Sequence, residues 1–156
     1  MARGKPETGQ KAPAFHLEST AGDWSLAAAL GGPLVLYFYP RDNTPGCTTE
    51  GRAFAANHAK FRAAGATIVG VSPDSIESHR KFRQKFDFPF ELLSDPERRV
   101  CELYDVIREK SLYGRKFLGV ERSTFLIDAR GVLRQEWRKV KVDGHAEAVL
   151  AAVKAL

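Results

Sequence analysis

Apolar residues fall into short blocks separated by polar stretches and chain breakers. The longest block, Leu34-Val35-Leu36-Tyr37-Phe38-Tyr39, is bounded by Gly31-Gly32-Pro33 and by Pro40. A run with no polar face predicts a strand covered on both sides, in the middle of a sheet. Ala66 to Val71 predicts a second buried strand, and Phe90 to Leu93 a shorter one. Ser123 to Ile127 predicts another, returned by the Asp128-Ala129-Arg130-Gly131 turn to a hairpin partner from Val132 to Trp137. Near the start, Ala14 to Leu17 and Trp24 to Leu26 flank a turn at Thr20-Ala21-Gly22-Asp23 and predict a first hairpin.

Between these blocks the period changes. From Cys47 to Ala64 the residues Gly51, Phe54, His58 and Phe61 share one helical stripe, and Gly65 ends the helix. Ser75 to Phe86 predicts a basic amphipathic helix with His79 on its surface; His58 is expected in the core. Arg99 to Tyr104 predicts a short helix carrying Cys101, and Gly144 to Leu156 a terminal one. Strands alternating with helices, then a hairpin and a last helix, predict an α/β protein with a mixed central sheet and helices on both faces. That is the thioredoxin-like arrangement. No repeat or linker divides the chain, so residues 1–156 are expected to form a single domain.

Composition narrows the function classes. With 44% hydrophobic and 28% charged residues, the chain can bury a core and is not a disordered segment. A net charge of +5 would suit nucleic acid or an acidic membrane. The bases, however, are mixed with acids, as in Glu97-Arg98-Arg99 and Arg108-Glu109-Lys110, and Arg134 to Lys141 patterns as the exposed face of a strand. No nucleic-acid or membrane partner is therefore expected. The polar start, Met1-Ala2-Arg3-Gly4-Lys5-Pro6, does not resemble a secretory signal, and no apolar run is long enough to span a bilayer. A cytoplasmic protein is expected. There the two cysteines are reduced by default. The four histidines show no metal-ligand spacing, and no phosphate loop or nucleotide fingerprint occurs.

The chemistry concentrates at Pro40-Arg41-Asp42-Asn43-Thr44-Pro45-Gly46-Cys47. Thr44 suits an N-cap whose hydroxyl accepts from a first-turn amide, and Pro45 suits the first helical position. Cys47 then sits in the first turn, beside free backbone N–H groups and the positive end of the helix dipole. That setting favours the thiolate, the nucleophilic form of cysteine. The same residues also fit a small buried cysteine at an ordinary helix start.

The pattern Pro-x-x-x-Thr-x-x-Cys, here Pro40, Thr44 and Cys47, resembles the active-site signature of the peroxiredoxin family. The resemblance continues through Cys47-Thr48-Thr49-Glu50 and Arg122-Ser123-Thr124-Phe125-Leu126-Ile127-Asp128. It extends to Ala12-Pro13-Ala14-Phe15, Gly70-Val71-Ser72 and Leu93-Ser94-Asp95, and is closest in flavour to the peroxiredoxin Q, or bacterioferritin comigratory protein, branch. It implies a thiol peroxidase for hydrogen peroxide and organic hydroperoxides, serving antioxidant defence and needing no cofactor. Cys47 would attack the peroxide and become a sulfenic acid. Thr44 would orient the peroxide, Pro40 would shield the sulfur, and Arg122 with amides near Gly46 and Cys47 would stabilise the developing charge. Glu50 would orient an arginine.

The sequence departs from that branch where a resolving cysteine is expected: those positions hold Arg52 and Arg83. Cys101 lies in an apolar context suited to a structural thiol. The resemblance is thus to a one-cysteine enzyme resolved by an external thiol such as thioredoxin, glutaredoxin or glutathione, more often a monomer than a dimer. Two other classes compete. A disulfide reductase would require a second nearby cysteine where Thr44 stands. A redox sensor or thiol-dependent chaperone would use oxidation of Cys47 to expose a binding surface.

Overall fold

The computed structural model describes residues 6–156, so the polar Met1–Lys5 start lies outside the described residues. The chain begins with β1 (His16–Ser19), β2 (Gly22–Ser25), α1 (Leu26–Ala29) and β3 (Leu34–Phe38). Next come α2 (Pro45–Ala56), α3 (His58–Ala63), β4 (Thr67–Ser72), α4 (Ile76–Phe86) and β5 (Glu91–Ser94). It closes with α5 (Arg99–Leu103), β6 (Ile107–Leu112), β7 (Arg115–Val120), β8 (Ser123–Ile127), β9 (Leu133–Trp137) and α6 (His145–Lys154).

Seven strands form one mixed sheet in the order β2-β1-β5-β4-β3-β8-β9. The apolar run of β3 lies inside it, parallel to β4 and antiparallel to β8, and all five of its residues are buried. Side chains alternate across a strand, so β3 feeds two cores. Val35 and Tyr37 face one side with Phe54, Phe61, Phe82 and Val149, under α2, α3, α4 and α6. Leu34, Leu36 and Phe38 face the other with Leu26, Val100, Cys101 and Tyr104, under α1 and α5.

The stripe of α2 packs as its spacing predicts, but the helix is broken. Asn57 caps α2, its side chain donating to the Ala53 carbonyl at 2.9 Å, and α3 restarts at His58. Gly51, Phe54 and Phe61 stay buried; His58 is half-buried rather than in the core. Gly51 is required by close approach, because a Cβ there would lie 2.5 Å from the Phe88 ring.

Three further expectations change. His79 is fully buried, not on the surface of α4. It lies at helical spacing between Ile76 and Phe82, on the apolar face of the helix, which was the signal available in the sequence. The Arg134–Lys141 stretch is a strand only to Trp137; beyond it Arg138 turns inward and donates to the Asp105 carbonyl at 2.6 Å. The hairpin β6–β7 was not predicted. Its turn uses Tyr113 and Gly114, both at positive φ (51° and 77°), so a tyrosine occupies a place usually marked by Asn or Asp.

Candidate active site

Tyr39 continues β3 by donating its N–H to the Val71 carbonyl, after which Pro40 bends the chain into a loop that delivers α2. Pro40 is half-buried at this bend. Thr44 has the extended backbone of an N-cap (φ −93°, ψ 156°), and Pro45 follows at the first helical position. The expected side-chain cap is absent: the Thr44 hydroxyl donates instead to the Arg41 carbonyl at 2.8 Å. With Pro45 offering no N–H, the hydroxyl closes the loop rather than the helix. The first-turn amides therefore keep no intrahelical acceptor. Cys47, in this turn, is only 2% exposed.

Arg122, placed just before β8, reaches the sulfur from the strand beside β3. Its Nη2 donates to Cys47 Sγ at 3.5 Å and its Nη1 to Glu50 Oε1 at 2.7 Å. The Glu50 side chain is 2% exposed and the Arg122 side chain 16%. Gly46 lies against the guanidinium: a Cβ there would stand 3.0 Å from Arg122 Nη2. The structure thus brings Cys47, Gly46, Glu50 and Arg122 into one cluster, with Thr44 and Pro40 in the loop that leads to it.

Glu50 Oε2 is buried without a hydrogen-bond partner. Burial raises the Glu50 carboxyl from 4.5 to about 7, despite the opposing pull of Arg122. Burial works against the Arg122 charge, but Glu50 and then Cys47 outweigh it, so its pKa is raised. Tyr37, stacked on Phe54 at 4.8 Å, is pushed well above the usual phenol range by burial and then by Glu50 and Cys47. His145 is lowered to about 4 by burial and then Arg122, and its Nε2 lies 2.8 Å from the Thr124 hydroxyl oxygen. Its ring is thus neutral at physiological pH. Lys110 on β6 donates to the Val120 carbonyl at 2.6 Å and is lowered by burial and then Arg122. Tyr37, Lys110 and His145 feel the charges of the cluster, an effect not legible in the sequence because it arises only through tertiary packing.

Cys101 packs in the core on the far side of the sheet from Cys47. Burial, and after it Asp95, pushes the Cys101 thiol up, and its backbone N–H donates to Asp95 Oδ2 at 2.8 Å. Arg52 is exposed, and Arg83 is tied to the Phe90 carbonyl at 2.8 Å and to Glu91. Among the described residues Asp42, Asp74 and His79 form one grouping of metal-ligand type. Both ring nitrogens of His79 already face protein oxygens, so no free lone pair converges there with the carboxylates. Also among the described residues, no helix is long and apolar enough to cross a membrane.

Comparison with known proteins places the chain in a family. The sequence profile of the AhpC/TSA family matches residues 8–136. Peroxiredoxin Bcp of Xanthomonas campestris pv. campestris is 56% identical over 131 residues, 84% of this chain and 82% of that protein. Peroxiredoxin Bcp of Bacillus subtilis is 48% identical over 149 residues, 95% of each chain. A solved structure of the Xanthomonas campestris bacterioferritin comigratory protein, described for its alkyl peroxide reduction activity, superposes with a TM-score of 0.88 at 49% identity, covering 96% of this chain and 98% of that one. The chain belongs to the AhpC/TSA family as a peroxiredoxin of the Bcp/Q type, with the thioredoxin-like fold, and is a thiol-dependent peroxidase that takes a hydroperoxide and a thiol reductant.

Proposed function

We propose that Cys47 is the peroxidatic residue and that Thr44, Arg122, Pro40, Gly46 and Glu50 serve it. The observation that carries this reading is the Arg122 guanidinium donating to Cys47 Sγ at 3.5 Å while held by Glu50 at 2.7 Å. The Cys47 thiolate attacks the nearer peroxide oxygen. An S–O bond forms, the O–O bond breaks, and the electron pair leaves on the departing oxygen, which takes a proton to become water or an alcohol. Cys47 is oxidised to a sulfenic acid and the peroxide is reduced. Arg122 and the first-turn amides of Gly46 and Cys47 stabilise the charge spreading along S–O–O, fixed donors in a water-poor site being most effective there. Thr44 turns its hydroxyl from the Arg41 carbonyl to the peroxide, Pro40 keeps water from the sulfur, and Glu50 aims the guanidinium.

An external thiol then attacks the sulfenic sulfur, releasing water, and a second thiol regenerates Cys47; thioredoxin, glutaredoxin and glutathione supply this chemistry. The placement of Cys101 across the sheet supports an external source, because a disulfide needs Cα atoms within about 7 Å. Alkyl hydroperoxides are substrates beside hydrogen peroxide, a reading supported by the activity described for the Xanthomonas campestris relative. The same reading takes the enzyme as a monomer that works in the reducing cytoplasm, where both cysteines stay unpaired.

The test is peroxide consumption with a thiol donor by the wild type, Cys47→Ser and Cys101→Ser. Turnover is expected in the first and third and absent in the second. Residual turnover in Cys47→Ser overturns the assignment of Cys47, and a Cys47–Cys101 disulfide as the main product of stoichiometric peroxide overturns resolution by an external thiol.

A further inference from the structure

The loop that carries Thr44 and Gly46 to Cys47 is anchored from the side, at Asp42. Arg41 and Asn43 are exposed, yet the Asp42 side chain between them is 3% exposed. Its Oδ1 accepts from the Tyr39 hydroxyl at 2.6 Å. Its Oδ2 accepts from the Ser78 hydroxyl at 2.8 Å and lies 2.7 Å from Nδ1 of His79. The backbone N–H of Asp42 donates to Asp74 Oδ2 at 2.8 Å, an oxygen that also takes the Ser72 hydroxyl.

His79 completes the anchor from α4 and is fully buried. Its Nε2 lies 2.8 Å from the Leu93 carbonyl oxygen on β5. A carbonyl only accepts, so Nε2 carries a hydrogen. The Nδ1 side meets the Asp42 carboxylate at 2.7 Å, so both ends of the ring are tied. The ring is a rigid strut between a central strand of the sheet and the loop.

The strut stands where the backbone needs it. Asn43, the next residue, is left-handed at φ 60°, a conformation a non-glycine residue holds only when its surroundings impose it. Asp42 on one side and Pro45 in α2 on the other define that turn, and Lys85 of α4 adds a bond to Asn43 Oδ1 at 3.2 Å. Thr44 follows directly, so its hydroxyl can face the sulfur only if this turn holds.

We propose that His79 is a positioning residue of the peroxidase: through Asp42 it holds the Asn43 turn, so that the Thr44 backbone stands in place beside Cys47 before peroxide arrives and only its hydroxyl has to turn. The proposal rests on the assignment of Cys47 and Thr44 above. Its physical basis is preorganisation, in which a misplacement of about 1 Å at a reacting group can cost on the order of 100-fold in rate.

The experiment measures the rate of Cys47 oxidation by hydrogen peroxide in a single turnover, and the alkylation rate of Cys47 by iodoacetamide, in the same variants. Alkylation needs the sulfur but not the peroxide-orienting hydroxyl. His79→Gln and Asp42→Asn are each expected to lower the oxidation rate by roughly 10- to 100-fold, with alkylation changed by less than about threefold. The double variant is expected to be no slower than the slower single, because both remove one strut. Hydrogen exchange is expected to quicken in residues 40–47 and not in β3 or β8. Ser78→Ala removes a donor from the same Asp42 oxygen at a half-buried site, and is expected to fold and to lose about threefold in oxidation alone.

A folded His79→Gln protein oxidised within twofold of wild type overturns the proposal. So do equal losses in oxidation and alkylation, or additive losses in the double variant. If His79→Gln does not fold, an unchanged oxidation rate in Ser78→Ala overturns it. Failure of the Cys47 assignment reads differently: the wild type itself then forms no sulfenic acid at Cys47.

Discussion

Replacing Glu50 by Gln should remove a pH dependence of stability that the wild type carries at one buried group. The carboxyl is 2% exposed, one oxygen meets Arg122 and the other meets nothing. Burial lifts it from 4.5 to about 7. Because the folded pKa lies above the unfolded one, the folded state binds more protons between those values. Stability therefore falls as pH rises through that window and levels off above it. By linkage, a shift of this size corresponds to about 3 kcal/mol, most of which falls between pH 5 and pH 8. Glutamine keeps an acceptor for Arg122 and has no proton to lose. Any fixed cost of burying its amide is the same at both pH values and cancels in the comparison. The assay is urea unfolding at pH 5 and pH 8 of Glu50→Gln against Glu50, both in a Cys47→Ser background so that no thiol titrates beside Arg122. The advantage of the glutamine protein should grow by about 2 to 3 kcal/mol from the lower to the higher pH. A difference constant within about 0.5 kcal/mol refutes the argument that desolvation outweighs the Arg122 charge at this site.

Three further outcomes follow from the packing. Gly46→Ala places a Cβ 3.0 Å from Arg122 Nη2 and should lower the peroxide rate about tenfold by displacing the guanidinium. Its melting temperature should hold or rise, since alanine favours the helix by up to about 1 kcal/mol, and a joint loss of stability and rate would point to general damage. Gly51→Ala meets the Phe88 ring at 2.5 Å and should cost about 1–3 kcal/mol in urea unfolding, whereas a gain would mean the ring moves aside freely. Cys101→Ser puts a hydroxyl into an apolar core and should lose on the order of 1 kcal/mol while oxidising at the wild-type rate; a slowed rate would link the two faces of the sheet.

How much of this was legible before folding depends on whether the signal was local. The β3 run between Gly-Gly-Pro and Pro40, the Gly51–Phe54–Phe61 stripe and the Asp128–Gly131 turn are patterns within one element, and each formed where its period placed it. The Thr44-Pro45 helix start was legible in the backbone but not in the side chain, because the hydroxyl had a competing acceptor in the Arg41 carbonyl. The β6–β7 hairpin was hidden by a Tyr-Gly turn and by strands whose exposed positions are as mixed as a loop. His79 was misplaced because its helix is rich in Lys and Arg, although its spacing from Ile76 and Phe82 marks the inner face.

What the chain alone determined is therefore the sheet-and-helix framework and a cysteine at a helix start with a threonine before it; the arginine at the head of a later strand was implied only by the family resemblance. Period, breakers and caps are short-range properties, and they survive being read one residue after another. The tertiary structure decided the rest. It brought Arg122 to 3.5 Å from Cys47 across 75 positions, set Cys101 behind the sheet, left one Glu50 oxygen without a partner and buried His79 against Asp42. Desolvation and charge pairing depend on which distant segments share a face of the sheet, and that information exists only once the sheet has assembled.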